Sequence, residues 1–280
     1  MHYGLIFSWI PPRVAADLAQ EAEEAGWDGV FYWDAISIPS EGDAYDPWVT
    51  LAAIAMRTER VRLGTMLTPP SRRRPWKLAR EVVTLDHLSN GRAILPVGLG
   101  ALDDGGFSKV GEQADRKIRA QMLDESLEIL TGLWSGQPFS FHGQHYTLEE
   151  MTFTPTPVQS PRVPIWVVGA WPRMKSMQRV LRCDGLLPSK MNPDGSQAEL
   201  SPEDITAMKT WIADHRAPAT PFDIVIEGDT PLGDREGAAA AVRPWAEAGA
   251  TWWLENVWRA PDGLEGMRAR IRQGPPRIEG

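Results

Sequence analysis

Along the chain, short apolar runs rich in β-branched and aromatic residues alternate with longer runs in which apolar positions recur every three or four residues. The first pattern predicts buried strands and the second amphipathic helices. Strands are predicted over residues 3–9, 29–33, 61–67, 93–97, 165–168, 184–187, 222–227 and 251–255. Helices are predicted over 14–25, 46–57, 76–88, 116–134, 173–182, after Ser201-Pro202, over 236–248, and from about residue 262. Local punctuation agrees. Val14, Leu18 and Ala22 share a helical face that Gly26 closes, and Asp46-Pro47 supplies an N-cap followed by proline at the first helical position. Leu78, Val82, Leu85 and Leu88 form a buried stripe that stops at Ser89-Asn90-Gly91, and Ile118, Met122, Ile129 and Leu133 form another that Gly136 ends.

Residues 137–162 interrupt the rhythm. There Phe139, Phe141, Tyr146 and Leu148 surround His142-Gly143-Gln144-His145, a pattern that predicts a small hairpin, and four prolines lead back to the next strand. We read this segment as an insertion within a single domain spanning residues 1–280. Eight strand-helix units with short connections predict the α/β class and a (β/α)8 TIM barrel with a hairpin-containing insertion before the fifth strand. One doubly wound open sheet is the alternative that the same alternation allows.

Composition narrows the function classes. Of the 280 residues 42% are hydrophobic and 24% charged, and no apolar run is long enough to cross a bilayer, so no membrane partner is expected. Residues 1–10 are apolar but lack a basic leader and are broken by Pro11-Pro12, which favours a first buried strand over a secretory signal and a cytoplasmic location. The single cysteine, Cys183, excludes an intrachain disulfide and a cysteine-based zinc site, and reads as a small buried hydrophobe. A net charge of -8 argues against nucleic acid as a partner. The basic cluster Arg72-Arg73-Arg74 stands without interleaved aromatics.

In a barrel of this kind chemistry belongs at the C-terminal ends of the strands. The candidates are therefore Ser8 and Trp9, Asp34, Thr68, residues 98–104, residues 169–173, Ser189 and Lys190, Glu227, and Glu255 with Asn256. None of the five histidines falls at a strand end, so the converging ligands of a metal-dependent barrel hydrolase are missing and no metal is expected. Gly98 and Gly100 suit tight turning of the backbone. Gly169, Ala170 and Trp171 precede a predicted helix, where a backbone can approach an anion, although Pro172 removes one donor, and Lys190 could reach the same anion. Trp9, Trp33, Trp171 and Trp253 lie near strand ends and would suit a flat aromatic cofactor.

Four stretches carry a family likeness: residues 22–34, beginning Ala22-Glu23-Glu24-Ala25-Gly26-Trp27-Asp28-Gly29; Thr58-Glu59-Arg60-Val61-Arg62-Leu63-Gly64-Thr65; Leu85-Asp86-His87-Leu88-Ser89-Asn90-Gly91-Arg92; and Pro157-Val158-Gln159 onward to Gly169. On these residues the chain resembles the luciferase-like monooxygenase superfamily, the flavin- and deazaflavin (F420)-dependent barrel oxidoreductases. The resemblance implies a cofactor ring in the barrel mouth against a non-prolyl cis peptide at Met66-Leu67, within reach of Trp33, Asp34, Gly98, Gly100 and Trp171. It also implies a cofactor phosphate near Gly169 and Ala170, and Lys190 resembles a phosphate-contacting lysine of some deazaflavin members. Two departures matter. Ala35 follows Asp34 where the family often has histidine, and Ala101 stands where the sugar-phosphate dehydrogenases of the deazaflavin branch carry a glutamate.

Those departures argue against sugar-phosphate dehydrogenation and leave Asp34, Glu227 and Glu255 as candidate catalytic carboxylates. The resemblance implies an oxidoreductase acting on a small organic substrate, with reduced FMN and oxygen as the first reading and hydride transfer from reduced F420 as the second. A flavin reductase supplying reduced cofactor and a homodimer are the implied protein partners. A non-catalytic flavin-binding protein is the alternative from another class.

Overall fold

The computed structural model describes residues 1–38, 42–217, 220–257 and 262–278. Its strands are β1 (His2–Phe7), β2 (Gly29–Tyr32), β3 (Arg62–Thr65), β4 (Leu95–Val97), β5 (Pro138–His142), β6 (Thr147–Thr152), β7 (Ile165–Trp171), β8 (Gly185–Met191), β9 (Gln197–Ala198), β10 (Asp223–Gly228) and β11 (Trp252–Asn256). The helices are α1 (Pro12–Glu24), α2 (Pro47–Arg57), α3 (Pro75–Leu88), α4 (Arg116–Trp134), α5 (Met174–Val180), α6 (Pro202–His215), α7 (Arg235–Ala248) and α8 (Gly263–Gln273).

Eight parallel strands run side by side in the order β3-β2-β1-β11-β10-β8-β7-β4. The two ends of that path meet through parallel bridges between Leu63 and Ala93 and between Thr68 and Val97. The sheet thus curls into a barrel, and the open doubly wound alternative is excluded. Each predicted strand has its counterpart. The third is shorter than expected, ending at Thr65, and the sixth is longer, because Lys190 and Met191 pair with the short antiparallel β9 that the sequence did not signal. Leu88, expected in the buried stripe of α3, is 40% exposed as the last residue of its helix.

Side chains alternate across each strand, so one set fills the barrel and the other packs beneath the helices. The inner set includes Ile6, Phe31, Ile94, Trp166, Leu187, Val225, Trp252 and Leu254. Phe31, Trp166 and Trp252 meet with centroid separations of 5.3 to 6.1 Å and plug the lower barrel with aromatic area. Neighbouring glycines make the room: a Cβ at Gly185 would stand 2.3 Å from the Trp166 ring, and one at Gly29 3.0 Å from Trp252.

The N-terminal ends of the strands are tied by buried polar groups. Glu23 accepts the amides of Glu59, Arg60 and Val61, and Asp86 accepts those of Val158 and Gln159. Arg92 donates to carbonyls of Ala55, Thr58, Val61 and Ser89. Each carboxylate or guanidinium has its full complement of partners, which is the condition for burying charge without a large penalty. Between α4 and β7 lies the antiparallel pair of β5 and β6, whose tip is held by Glu125 of α4 accepting the amides of Gln144, His145 and Tyr146. Cys183 is buried, and burial pushes its thiol up to about 12.

Candidate functional site

The plug of Phe31, Trp166 and Trp252 closes the lower barrel, and above it the C-terminal ends of the strands surround a cavity of about 1210 Å³. Which residues face it follows from the alternation already set lower down. Phe31 inside puts Trp33 inside; Trp166 puts Val168 and Ala170 inside; Leu187 puts Ser189 and Met191 inside; Val225 puts Glu227 inside. All six of the mouth residues reached in this way line the cavity.

The floor and near wall come from Trp33, Met66, Leu67, Gly98 and Val168. The Met66-Leu67 peptide is cis, at the point where the chain leaves β3. Thr65 and Thr68 bracket it, their hydroxyls 2.7 Å apart. Trp9, two residues beyond the end of β1, meets Trp33 edge-on with centroids 4.5 Å apart. A Cβ on Gly98 would come within 2.9 Å of Val168 and 3.0 Å of Leu67, so a bare backbone keeps this slot open. Gly100 has a φ of +75°, a left-handed turn for which glycine is suited, and Arg119 donates to the carbonyls of Leu99 and Gly100 beside it.

Four carboxylates line the cavity: Asp34, Asp104, Asp115 and Glu227. Asp34 is buried and receives Nη2 of Arg72 at 2.7 Å and Nη2 of Arg73 at 3.0 Å. Asp104 pairs with the other Nη of Arg72 and accepts the amides of Ile36, Ser37 and Gly106. Burial pushes the Asp104 carboxyl upward, but those amides and Arg72 outweigh it and hold the group below the usual carboxylate range. Asp115 caps α4 by accepting the amide of Ile118. Glu227 differs. Its side chain is exposed at the cavity wall and has no hydrogen-bond or ion-pair partner among the described residues, and the protein around the cavity, by limiting solvation of the charged form, raises its carboxyl to about 7.

Cations gather at the rim. Arg116 and Lys117 come from the first turn of α4, and Arg173 and Lys175 from the start of α5. None of these four has a carboxylate or carbonyl partner among the described residues. Burial, and then the charge of Arg173, draw the Arg116 guanidinium below its usual range, so these two cations lie close enough to repel one another. Arg179, on the same wall, is neutralised by Asp124 at 2.7 Å.

The structure therefore brings Trp33, Asp34, Met66, Leu67, Gly98, Gly100, Ala170 and Glu227 to one cavity and leaves others off its wall, among them Lys190, Glu255, Gly169 and Trp171. Lys190 points the other way from Ser189 and Met191, and its Nζ lies 2.8 Å from Asp204 in the capping box of α6. Glu255 is 2% exposed on the helix side of β11, where it binds Arg270, Thr230 and the indole of Trp253. Gly169 faces α5, where a Cβ would meet Val180 at 3.0 Å besides Leu186 of β8 at 2.4 Å, and Trp171 packs against Trp211. The amide of Ala170 is taken by the Ser176 hydroxyl at 3.0 Å, and α5 has only seven residues, so the expected anion cradle is not assembled there from backbone donors. Each of these four lies one residue out of phase with the inner face. The strand-end candidate Ser189 does reach the cavity. Sequence reasoning missed Met191, which the period of two would have found, and Arg72, whose place in a run of three arginines hid two ion pairs.

Among the described residues no group of three or more His, Cys, Asp or Glu side chains could hold a metal ion, and no helix is long and apolar enough to cross a membrane.

Comparison with known proteins places this geometry. An uncharacterised protein of Mycobacterium tuberculosis is 31% identical over 94% of this chain and 93% of its own length. The F420-dependent glucose-6-phosphate dehydrogenase of Amycolatopsis mediterranei is 34% identical over 58% of this chain, about half (49%) of that protein. A solved F420-dependent secondary alcohol dehydrogenase, in complex with an F420-acetone adduct, superposes with a TM-score of 0.78 at 18% identity, covering 99% of both chains. The family profile for luciferase-like monooxygenases matches residues 3–273, and the chain belongs to that family of oxidoreductases.

Proposed function

We propose that this protein is an F420-dependent oxidoreductase that transfers hydride between the deazaflavin and a small organic substrate carrying a carbonyl or a similarly electron-poor double bond. The observation that carries this reading is the rim: Arg116, Lys117, Arg173 and Lys175 have no ion-pair partner among the described residues and surround an apolar slot. FMN ends in a single phosphate, whereas F420 continues into a phosphodiester and a chain of glutamates, and a spread of free cations suits the longer anion. Below the rim, Trp33, Met66, Leu67 and Val168 offer walls for a flat ring, and Gly98 leaves the slot open.

When bound and reduced, F420 supplies a hydride, two electrons with one hydrogen nucleus. The chain's own part is orientation and exclusion of water. The apolar walls desolvate whatever reacts against them, and the Asp34–Arg72–Asp104 cluster holds the loops after β2 and β4 against each other as one side of the mouth. Ala101 on the cavity wall offers no carboxylate, so sugar-phosphate dehydrogenation, the activity named for the Amycolatopsis relative, is not proposed.

Fluorescence titration of the purified protein with oxidised F420 and, separately, with FMN tests the reading. F420 should bind at least about tenfold more tightly at low salt, with the preference shrinking as salt screens the rim. Tighter binding of FMN at both salt concentrations would move the protein to the reduced-FMN monooxygenase reading, and no binding of either would end the oxidoreductase reading.

A further inference from the structure

We infer that Glu227 is the acid of this site, donating its proton to the oxygen of a substrate bound in the cavity. The inference rests on the oxidoreductase reading above and names a group which that reading leaves open.

Elimination leads to it. Among the described residues lining the cavity there is no histidine, tyrosine or cysteine. Lys117 and Lys175 sit at the rim. Asp34 is closed by two arginines, Asp104 by Arg72 and three amides, and Asp115 by the helix it caps. All three already accept hydrogen bonds from these partners. Among the described carboxylates that line the cavity, Glu227 is the one with both oxygens free to meet a ligand.

Its placement is rigid. Glu227 lies within β10, between β8 and β11, one inner-face position above the buried Val225. The charged side chains of the flanking strands turn away from it, Lys190 to Asp204 and Glu255 to Arg270. Arg119 and Arg173 line the cavity from α4 and the approach to α5, and no charge from them or from the flanking strands contributes to the raised affinity of Glu227 for its proton, whose cause is burial. A neutral acid facing the bound substrate is what a carbonyl needs as hydride arrives at its carbon. The Oε–H bond breaks with its electron pair left on the carboxylate, an O–H bond forms on the substrate, and water returns a proton to Glu227. The hydride comes from the reduced cofactor named above, so the substrate gains two electrons and two hydrogen nuclei.

Two measurements on the wild type and on the variants Glu227→Gln and Glu227→Asp test this. The first uses ligand-free protein: infrared difference spectroscopy of the protonated-carboxyl band across pH should show a titration with midpoint near 7 that Glu227→Gln abolishes. A midpoint in the ordinary range of about 4 to 5 overturns the proposal. The second uses protein loaded with whichever reduced cofactor the binding titration selects. Glu227→Gln should lose about 100-fold or more in kcat while cofactor affinity stays within about threefold, and the fall in wild-type activity above neutral pH should disappear. Glu227→Asp should recover part of the rate. Wild-type kcat and pH profile in Glu227→Gln overturn the proposal. A wild type that binds no redox cofactor defeats the oxidoreductase reading instead, and the infrared midpoint still decides whether Glu227 holds a proton.

Discussion

Arg72 reaches Asp34 with a 2.7 Å hydrogen bond from Nη2, and the Asp34 side chain has no contact with solvent at all. Arg73 takes the other carboxylate oxygen at 3.0 Å. Removing one partner of a buried pair strands the other, which costs about 3–5 kcal/mol. Asp34→Asn should therefore lower the stability by about 3 kcal/mol, read as a shift in the midpoint of urea denaturation with an unchanged slope. A variant as stable as the wild type would show that the cluster is not holding the mouth together.

Glu227 should set a pH dependence of stability. Its ordinary value is 4.5 and its folded value about 7, so between those pH values the folded protein keeps a proton that the unfolded chain has released. The group's contribution is complete below about pH 4.5 and is lost as pH rises through 7. Glu227→Gln, which cannot ionise, should match the wild type in acid. At pH 8.5 it should melt about 2–4 °C higher, an effect of about 1 kcal/mol once the solvent that reaches the carboxyl through the cavity is allowed for. Parallel melting curves across pH would contradict the raised affinity.

The rim cations should discriminate between cofactors. Arg116→Ala and Arg173→Ala should each weaken F420 binding about tenfold, the scale of one charge-assisted hydrogen bond, and should make binding less sensitive to salt. FMN affinity should change less. Equal losses for both cofactors would indicate that these arginines meet a phosphate common to the two.

Lys190 gives the contrasting expectation. Its ammonium is committed to Asp204 on the outer side of β8, in a partly exposed pair. Lys190→Ala should leave F420 affinity within about twofold and cost at most about 1 kcal/mol of stability. A larger loss of affinity would mean that the side chain swings to the cavity when ligand binds.

The strands were legible in the sequence because burial on both faces leaves continuous apolar runs, and the helices because their stripes end at recognisable caps such as Asp46 and Gly26. The site was legible to within one residue. Placing chemistry at strand ends finds Trp33 and Glu227, but the same rule also selects Lys190 and Glu255, which stand on the outer face. What separates them is the phase of the alternation, and that is fixed by which neighbours fill the barrel: Val225 inside commits Glu227, and Leu254 inside turns Glu255 away. The rim arginines of α4 and α5 gave no signal, since cations on an amphipathic helix look the same in sequence whether they face solvent or a cofactor. The run of three arginines likewise concealed that Arg72 and Arg73 are the counterions of Asp34.

The hydrogen bonds of Glu23, Asp86 and Arg92 lie at the end of the barrel away from the cavity, and they lie in the very stretches that betray the family. Kinship is thus written at the pole of the molecule opposite the cavity. The lower pole works as a chassis, fastening helix ends to strand starts whatever stands above. Grafting segments between relatives at the upper pole would change what is transformed while leaving that undercarriage intact, so ancestry can be plain in such a chain and its substrate still lie elsewhere in the text.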